Sequence, residues 1–322
     1  MTAAISVHTG FPVAWFERPP AEALPVGSLM FRARTSLRAS DRDQAVQCAQ
    51  IVWEHADWMR SRLDTPPSRV PDHGGVEPRA AARHTREALG LPRHGPLPHL
   101  THVLEKAGVL VLGLPLPTER HDAFSTWAGR NERYPLIAAL ANAPGDRLRF
   151  SIAHEVGHLV LHRGLPPTLA TTVEPEADTF ASELLVPLDD LADEIGGRPT
   201  LTEFTLLTRR WGVSLQVLIR AARTLGILDE QRYVSLFKQL SARGWRTDQP
   251  VHVPVEKPRA FRTMAEMLYG DPVNLRAFAR DADWLPSFAT AVLDQHATLT
   301  DVPRVPSPPP NVIDLARRRK PR

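Results

Sequence analysis

The sequence of 322 residues predicts an α+β fold, in which helices come first, a small sheet follows, and further helices complete the chain. Three observations support this class. A long helical pattern follows Ser40, short apolar runs lie within residues 109–140, and helical periodicity returns from Asp146 onward. Separate blocks of helices and strands are typical of α+β proteins. The hydrophobic content of 43% is sufficient for a buried core.

The N-terminal part is predicted to be helical after an irregular start. Prolines exclude a long helix from residues 1–27. Beyond an N-cap at Ser40, apolar residues at helical spacing trace one face of a long helix. They are Ala45, Ala49, Val52, Trp53, Ala56, Met59 and Leu63. Residues 64–78 are rich in Pro and Gly and are predicted to form a loop, and two shorter helices follow at about 79–89 and 99–107.

Three short apolar segments are predicted to be strands. Residues 109–112 directly follow a glycine, and residues 124–128 and 136–140 are separated by a polar turn at 129–133. A Pro-Gly-Asp break comes next, and its Asp146 is predicted to cap the following helix.

A His-Glu-x-x-His motif lies in that helix. Residues four apart share one helical face about 6 Å apart, so His154 and His158 can present two imidazole nitrogens to one metal ion. Glu155 is rotated by about 100° and lies beside such an ion, where a general base would act. The other side of the helix is apolar, which predicts a buried helix whose histidines face inward or into a cleft.

The next helix offers a third ligand. Its apolar stripe runs through residues 177–185, and Pro175 is predicted to lie in its first turn. At about 100° per residue, Glu174 lies about 50° from the centre of this stripe and Glu176 about 110° from it. Glu174 is therefore predicted to be the ligand, and replacement of Glu176 is not expected to weaken metal binding. Asp178 is close enough to orient a ligating histidine through its second ring nitrogen.

Two segments resemble the ImmA/IrrE family of metallopeptidases. Residues 149–162 read Arg-Phe-Ser-Ile-Ala-His-Glu-Val-Gly-His-Leu-Val-Leu-His, and residues 174–187 contain Glu-x-x-Ala-Asp-x-Phe-Ala-x-Glu-Leu-Leu-x-Pro. The family consists of bacterial zinc proteases of the gluzincin type, and its characterised members cleave transcriptional repressors. The resemblance implies a minimal zincin-like core, a Zn²⁺ cofactor and a DNA-binding repressor of the Cro/CI type, encoded nearby, as the protein substrate.

The resemblance also implies roles for individual residues. It assigns the metal ligands to His154, His158 and Glu174, and the catalytic role to Glu155. His162 matches the family pattern too, but it is interpreted as structural, because it lies about 12 Å along the helix from His154.

Gluzincins often add a His or Tyr donor to the developing oxyanion. His121 and Tyr134 are both candidates, and nothing in the sequence chooses between them.

The C-terminal part is predicted to be helical up to about residue 280. Helices at 201–210 and 214–225 flank a short Gly-containing turn and form a pair that could bind DNA. The available arginines are Arg209, Arg210, Arg220 and Arg223. A helical hairpin packed against the peptidase is the preferred interpretation. Further helices are predicted near 231–242, 259–269 and 274–280.

These patterns predict five regions. They are an irregular segment at 1–27, a long helix and loop at 28–78, a metallopeptidase core at 79–195, a helical region at 200–300, and a Pro-rich basic tail at 301–322 that is predicted to be disordered. Residues 9–16 resemble the end of a repressor-like helix-turn-helix domain, and the rest of that domain is not expected in this chain.

Bulk properties narrow the class of protein. The single cysteine, Cys48, excludes an internal disulfide and suits a reducing cytoplasm. No signal peptide or membrane-spanning run of 18 apolar residues is found. The net charge of +3 is too small to indicate a nucleic-acid partner by itself.

The sequence therefore predicts a cytoplasmic zinc endopeptidase that serves a stress-response, prophage or mobile-element switch. The alternative is a transcriptional regulator that uses the helix pair at 201–225 and has a non-catalytic metal site. Four charges at 317–320 would give only weak, salt-sensitive binding, so specific DNA binding by this chain alone is not expected.

Overall fold

The computed structural model describes residues 5–6, 11–18, 23–25, 39–116, 123–140, 143–165, 170–298 and 301. In chain order the elements are α1 (Val13–Glu17), α2 (Ala39–Arg60), α3 (Pro78–Ala88), α4 (Leu100–Lys106), β1 (Leu110–Leu114), β2 (Ala123–Ala128), β3 (Tyr134–Leu140), α5 (Gly145–Leu161), α6 (Ala170–Leu185), α7 (Leu188–Glu194), α8 (Leu201–Trp211), α9 (Leu215–Thr224), α10 (Glu230–Ala242), α11 (Ala260–Tyr269), α12 (Leu275–Ala282) and α13 (Pro286–Asp294). The predicted α+β class and its small sheet are confirmed.

The sheet has the strand order β1-β3-β2. β1 pairs parallel to β3, with Leu110 opposite Leu136, and β2 pairs antiparallel to β3, with Ser125 opposite Ile137. β2 is thus an edge strand among the described elements. All three strands are buried almost throughout, because helices cover both faces of the sheet.

Alternation along the strands divides the core into two layers. Ile137 and Ala139 face α5 and the helices that surround it. Leu136 and Ala138 face the opposite way, toward α2 and the C-terminal helices α11 to α13. The sheet is therefore the wall between the layer that contains α5 and the layer that contains α2.

α5 and α6 pack closely together because Gly157 has no side chain. A Cβ atom at this position would lie 3.1 Å from the Phe180 ring and 3.2 Å from Cα of Ala177. The first turn of α5 is packed still more closely, since a Cβ on Gly145 would lie 2.2 Å from the carbonyl oxygen of Val253. These two contacts fix the position of α5 at its first turn and near Gly157.

Two details of the site helices differ from the prediction. Asp146 is not the cap of α5, because the helix begins one residue earlier, at Gly145. The carboxylate lies in the first turn, where the positive end of the helix dipole still favours it. Pro175 lies inside α6 rather than in its first turn, because α6 begins at Ala170. A proline here removes one backbone hydrogen bond, and the buried packing of α6 on α5 offsets that loss.

The helix pair α8–α9 packs into the same core layer as α5. Thr200 and Glu203 form a capping box at the start of α8, and Gly212 ends α8 in the left-handed region at φ 65°. Phe204, Trp211 and Leu218 are buried in the core around α5. The pair is thus part of the folded body.

Three of the four arginines of this pair already have partners inside the chain. Arg210 lies 2.8 Å from Glu194, and Arg223 pairs with Glu230 and stacks on Tyr233. Arg220 lies over the Phe237 ring at 5.8 Å.

The N-terminal residues 11–18 dock on the C-terminal helices. The Phe11 and Phe288 rings lie 6.2 Å apart, and Arg18 pairs with Asp283.

The tail from residue 302 lies outside the described residues, so its predicted disorder stays a prediction. Three of the described helices, α1, α7 and α13, were not predicted as separate elements. None of the described helices combines the length and apolar character that a bilayer crossing needs.

Candidate metal centre

Three side chains from α5 and α6 converge on one point. His154 and His158 lie one turn apart on α5, with their Nε2 atoms 3.0 Å from each other. Glu174 reaches them from α6, with Oε2 3.3 Å from Nε2 of His154 and Oε1 3.5 Å from Nε2 of His158. The close packing of the two helices at Gly157 allows this approach.

The donor set and its spacing fit a metal ion. The three ligand atoms lie within 4.8 Å of one another. Zn–N bonds of about 2.0–2.1 Å in a tetrahedron put neighbouring ligand atoms about 3.4 Å apart, which is close to the separations found here. Burial raises the pKa of Glu174, but the two neighbouring imidazoles more than offset this and hold its pKa well below the usual range. An ionised carboxylate is the form that binds a cation.

The second ring nitrogen of each histidine is also occupied. Nδ1 of His154 lies 2.8 Å from Asp178, and Nδ1 of His158 lies 2.9 Å from Nδ1 of His162. His162 continues the chain, since its Nε2 lies 3.0 Å from Glu176. These contacts orient both imidazoles with Nε2 toward the centre. Burial lowers the pKa of His162, so this ring is neutral at pH 7 and can accept on one nitrogen and donate on the other.

Glu155 lies beside the cluster rather than in it. Its backbone follows His154 on α5, and Ser125 Oγ on β2 lies 2.8 Å from its Oε2. The carbonyl oxygen of Glu155 lies 3.1 Å from the same hydroxyl oxygen. Two residues further along β2, the Trp127 indole N–H donates to Leu159 O at 3.2 Å. The edge strand therefore runs along α5 and holds the Glu155 carboxylate in place.

The start of α5 is anchored by a buried ion pair. Arg149 pairs with Glu256, and both side chains are less than one-tenth exposed. Arg149 also donates to the carbonyl oxygen of Leu97, and Glu256 accepts from the Thr101 N–H at 3.0 Å. This pair links the metal helix to α4 and to the segment that precedes α11.

The sequence predicted most of this arrangement. His154, His158 and Glu174 come together, Asp178 contacts His154, and Glu155 lies beside them. Sequence reasoning did not find Ser125, although a hydroxyl within an apolar strand is a signal, since a buried hydroxyl needs a partner.

The structure gives the position of only one of the two candidate oxyanion donors. Tyr134 packs against Trp53 and carries Arg60 over its ring at 4.1 Å, on the face of the sheet that points away from α5. This position removes Tyr134 from the centre. His121 lies outside the described residues.

Comparison with known proteins identifies part of the chain. Residues 104–223 match the Peptidase_M78 family model, which is described as the IrrE N-terminal-like domain. The match begins in α4 and ends in α9, so it includes the sheet and both helices of the candidate centre. No curated protein matched the sequence.

Proposed function

We propose that this chain is a zinc-dependent endopeptidase, a function supported by the match of residues 104–223 to the IrrE N-terminal-like domain model. One observation carries the proposal. A cluster of His154, His158 and Glu174 lies directly beside Glu155, whose carboxylate is held by Ser125. A structural zinc site would have four protein ligands, often cysteines, whereas three ligands leave a position open for chemistry.

The donor set favours zinc over a hard cation. Two imidazole nitrogens and one carboxylate are a common catalytic zinc set, whereas Mg²⁺ and Ca²⁺ prefer oxygen ligands. When bound, zinc supplies a Lewis acid that lowers the pKa of water toward neutrality and polarises a peptide carbonyl.

The residues of the chain supply the proton transfers. Glu155 accepts a proton from the attacking water and then delivers it to the nitrogen of the leaving amine. Ser125 donates to Oε2 of Glu155 and so restricts the rotation of the carboxylate. Asp178 and His162 hold the two imidazoles in the tautomer that turns Nε2 toward the cation.

We further propose that the substrate is a DNA-binding repressor of the Cro/CI type, cleaved in the cytoplasm as part of a transcriptional switch. The family supports a protein substrate, and the single cysteine, Cys48, is buried and unpaired, as suits a reducing compartment. The rival hypothesis, a regulator that binds DNA through α8–α9, is less well supported, because three of its arginines are engaged inside the chain.

The test uses the chain of 322 residues with zinc and each repressor-like protein encoded beside it. We expect cleavage at a defined bond, detected by mass spectrometry, that stops with a chelator. Glu155→Gln should retain zinc and lose cleavage, because an amide cannot accept the proton. Cleavage of a confirmed substrate by Glu155→Gln at the wild-type rate would refute the mechanism. Tight, sequence-selective binding of the chain to its own upstream DNA at physiological salt would favour the regulator instead.

A further inference from the structure

A cavity lies beside the start of β1, between helices of both core layers. It has a volume of about 260 Å³, is open to solvent on one side, and is bordered by the end of α2, by α4 and the turn after it, and by α11. Its wall includes Arg60, Leu63, Val109, Arg259, Met264 and Met267. None of the metal-centre residues lines it, so it is a separate site, here named the α2–α11 cavity.

Most of the wall of the α2–α11 cavity is apolar. Val109 and Met264 are buried, and Leu63 is half-buried. Met267, in contrast, is 64% exposed. A concave apolar wall with a small number of polar groups is the usual composition of a small-molecule site.

Two arginines in this wall have unpaired donors. Nε of Arg60 and Nη1 of Arg259 are buried and have no hydrogen-bond partner among the described residues. Arg259 uses its other nitrogens, with Nε 3.2 Å from Thr263 and Nη2 3.4 Å from Glu266. A buried N–H of a charged group that lacks an acceptor is costly, so each such group calls for an explanation.

Arg60 is the less neutralised of the two. Its guanidinium lies over the Tyr134 ring, and Asp57 on the same helix is the carboxylate that acts on its charge, whereas Arg259 pairs with Glu266 at 3.4 Å. Burial lowers its pKa, which reflects the poor solvation of its positive charge. An anionic oxygen from outside the chain would supply the acceptor that Nε of Arg60 lacks and would add to the negative charge of Asp57.

The acidic groups of the wall do not fill this role. The carboxylate of Glu105 accepts the backbone N–H groups of Arg259 and Ala260 at 2.8 to 3.1 Å, at the start of α11. Burial raises the pKa of Glu105 to about 7, although these backbone hydrogen bonds lower it, so its negative charge is reduced at neutral pH. Asp64 is exposed, where solvent screens its charge.

We propose that the α2–α11 cavity binds a small amphipathic carboxylate. The carboxylate faces Arg60 and Arg259, and an apolar body packs against Val109 and Met264. A cavity of about 150 Å³ holds benzene, so 260 Å³ accommodates a ligand of roughly ten non-hydrogen atoms. The ligand bridges α2 and α11 and stabilises the docking of the C-terminal helices, whether or not the chain is a peptidase.

The first experiment compares three probes on the wild-type chain by calorimetry and thermal unfolding. Octanoate has both the charge and a body of the required size, octan-1-ol lacks the charge, and acetate lacks the body. We expect one octanoate per chain and a higher melting temperature, with octan-1-ol and acetate at least tenfold weaker. Octyl phosphate tests the preference for a carboxylate, and tighter binding of this probe than of octanoate would contradict that assignment. Equal binding of octanoate and octan-1-ol would overturn the proposal.

Variants locate the site. Arg60→Gln should weaken octanoate binding at least tenfold, whereas the control Arg62→Gln should not, because Arg62 lies over Trp58 at 3.7 Å and does not line the cavity. Met267 provides a second test, since its exposed position tolerates substitution. Met267→Glu should weaken binding several-fold and Met267→Lys should strengthen it. The same affinity in both Met267 variants would show that octanoate binds elsewhere.

Discussion

The Nδ1 atoms of His158 and His162 lie 2.9 Å apart, one helical turn from each other on α5. One of these nitrogens must donate a hydrogen and the other must accept it. Donation by His158 leaves its Nε2 as the free ligand atom and requires His162 to donate from its own Nε2, which lies 3.0 Å from Glu176. The chain from His158 to Glu176 therefore specifies one tautomer for each ring.

His162→Ala should weaken zinc binding by about 10- to 100-fold without abolishing it, because the variant keeps all three ligands but loses the group that orients His158. Competition with a chromophoric chelator measures the affinity. His158→Ala, which removes a ligand, should bind far more weakly than His162→Ala. Equal losses of zinc affinity in the two variants would indicate that His162 is itself a metal ligand.

Glu174→Ala should lose zinc almost completely, because it removes the carboxylate that lies within 3.5 Å of both histidines. Glu176, two residues further along α6, is the matched control. Helical phase alone predicts no effect for Glu176→Ala, and its contact with His162 now predicts a loss of a few-fold. Equal zinc retention by the two variants would mean that Glu174 is not the third ligand.

Ser125→Ala should reduce kcat by about tenfold and leave the zinc content unchanged. The substitution removes the hydroxyl that holds Oε2 of Glu155, and general base catalysis depends on such positioning. Metal analysis and single-turnover kinetics separate the two effects. Wild-type kcat in Ser125→Ala would show that the Ser125 contact has no role in positioning the base.

Glu256→Ala should destabilise the fold by about 3–5 kcal/mol, because it leaves the buried Arg149 guanidinium without its carboxylate. Urea denaturation measures the free energy of unfolding. The control is Glu230→Ala, which removes an exposed partner of Arg223 and should cost less than about 1 kcal/mol. A loss at Glu256 no larger than the loss at Glu230 would contradict the anchoring role of the buried pair.

Mild acid should destabilise the protein through two buried histidines outside the metal centre. Burial lowers the pKa values of His55 and His296 to about 4. In the unfolded chain the two histidines bind protons below about pH 6.5, whereas in the folded chain they stay neutral down to about pH 4. Their contribution to the free energy of unfolding is therefore complete above pH 6.5 and is lost as the pH falls toward 4. His55→Phe keeps an aromatic ring beside Trp58 and should flatten the pH dependence of the unfolding free energy in this window. An unchanged pH profile would contradict this.

Sequence periodicity predicted the features that depend on residues close together along the chain. The phase of α6 distinguishes Glu174 from Glu176, and apolar spacing predicts the long helix α2. Contacts between distant segments were not accessible in this way. Ser125 reaches Glu155 only because β2 pairs on the edge of the sheet that faces α5. Likewise, alternate residues of β3 face opposite sides of the sheet, and the packing of the two helical layers decides which side carries the metal centre. Tyr134 lies on the other side.

Gly157 stands between the two histidines of the motif, and its contact with Ala177 and Phe180 limits how closely the two helices approach. Glu174 lies one turn before Ala177 on α6, so the same contact fixes the gap between the carboxylate and the imidazoles. A methyl group at position 157 would push α6 outward by a few tenths of an ångström. A wider gap suits a larger ion, so larger divalent ions should gain affinity relative to zinc in Gly157→Ala.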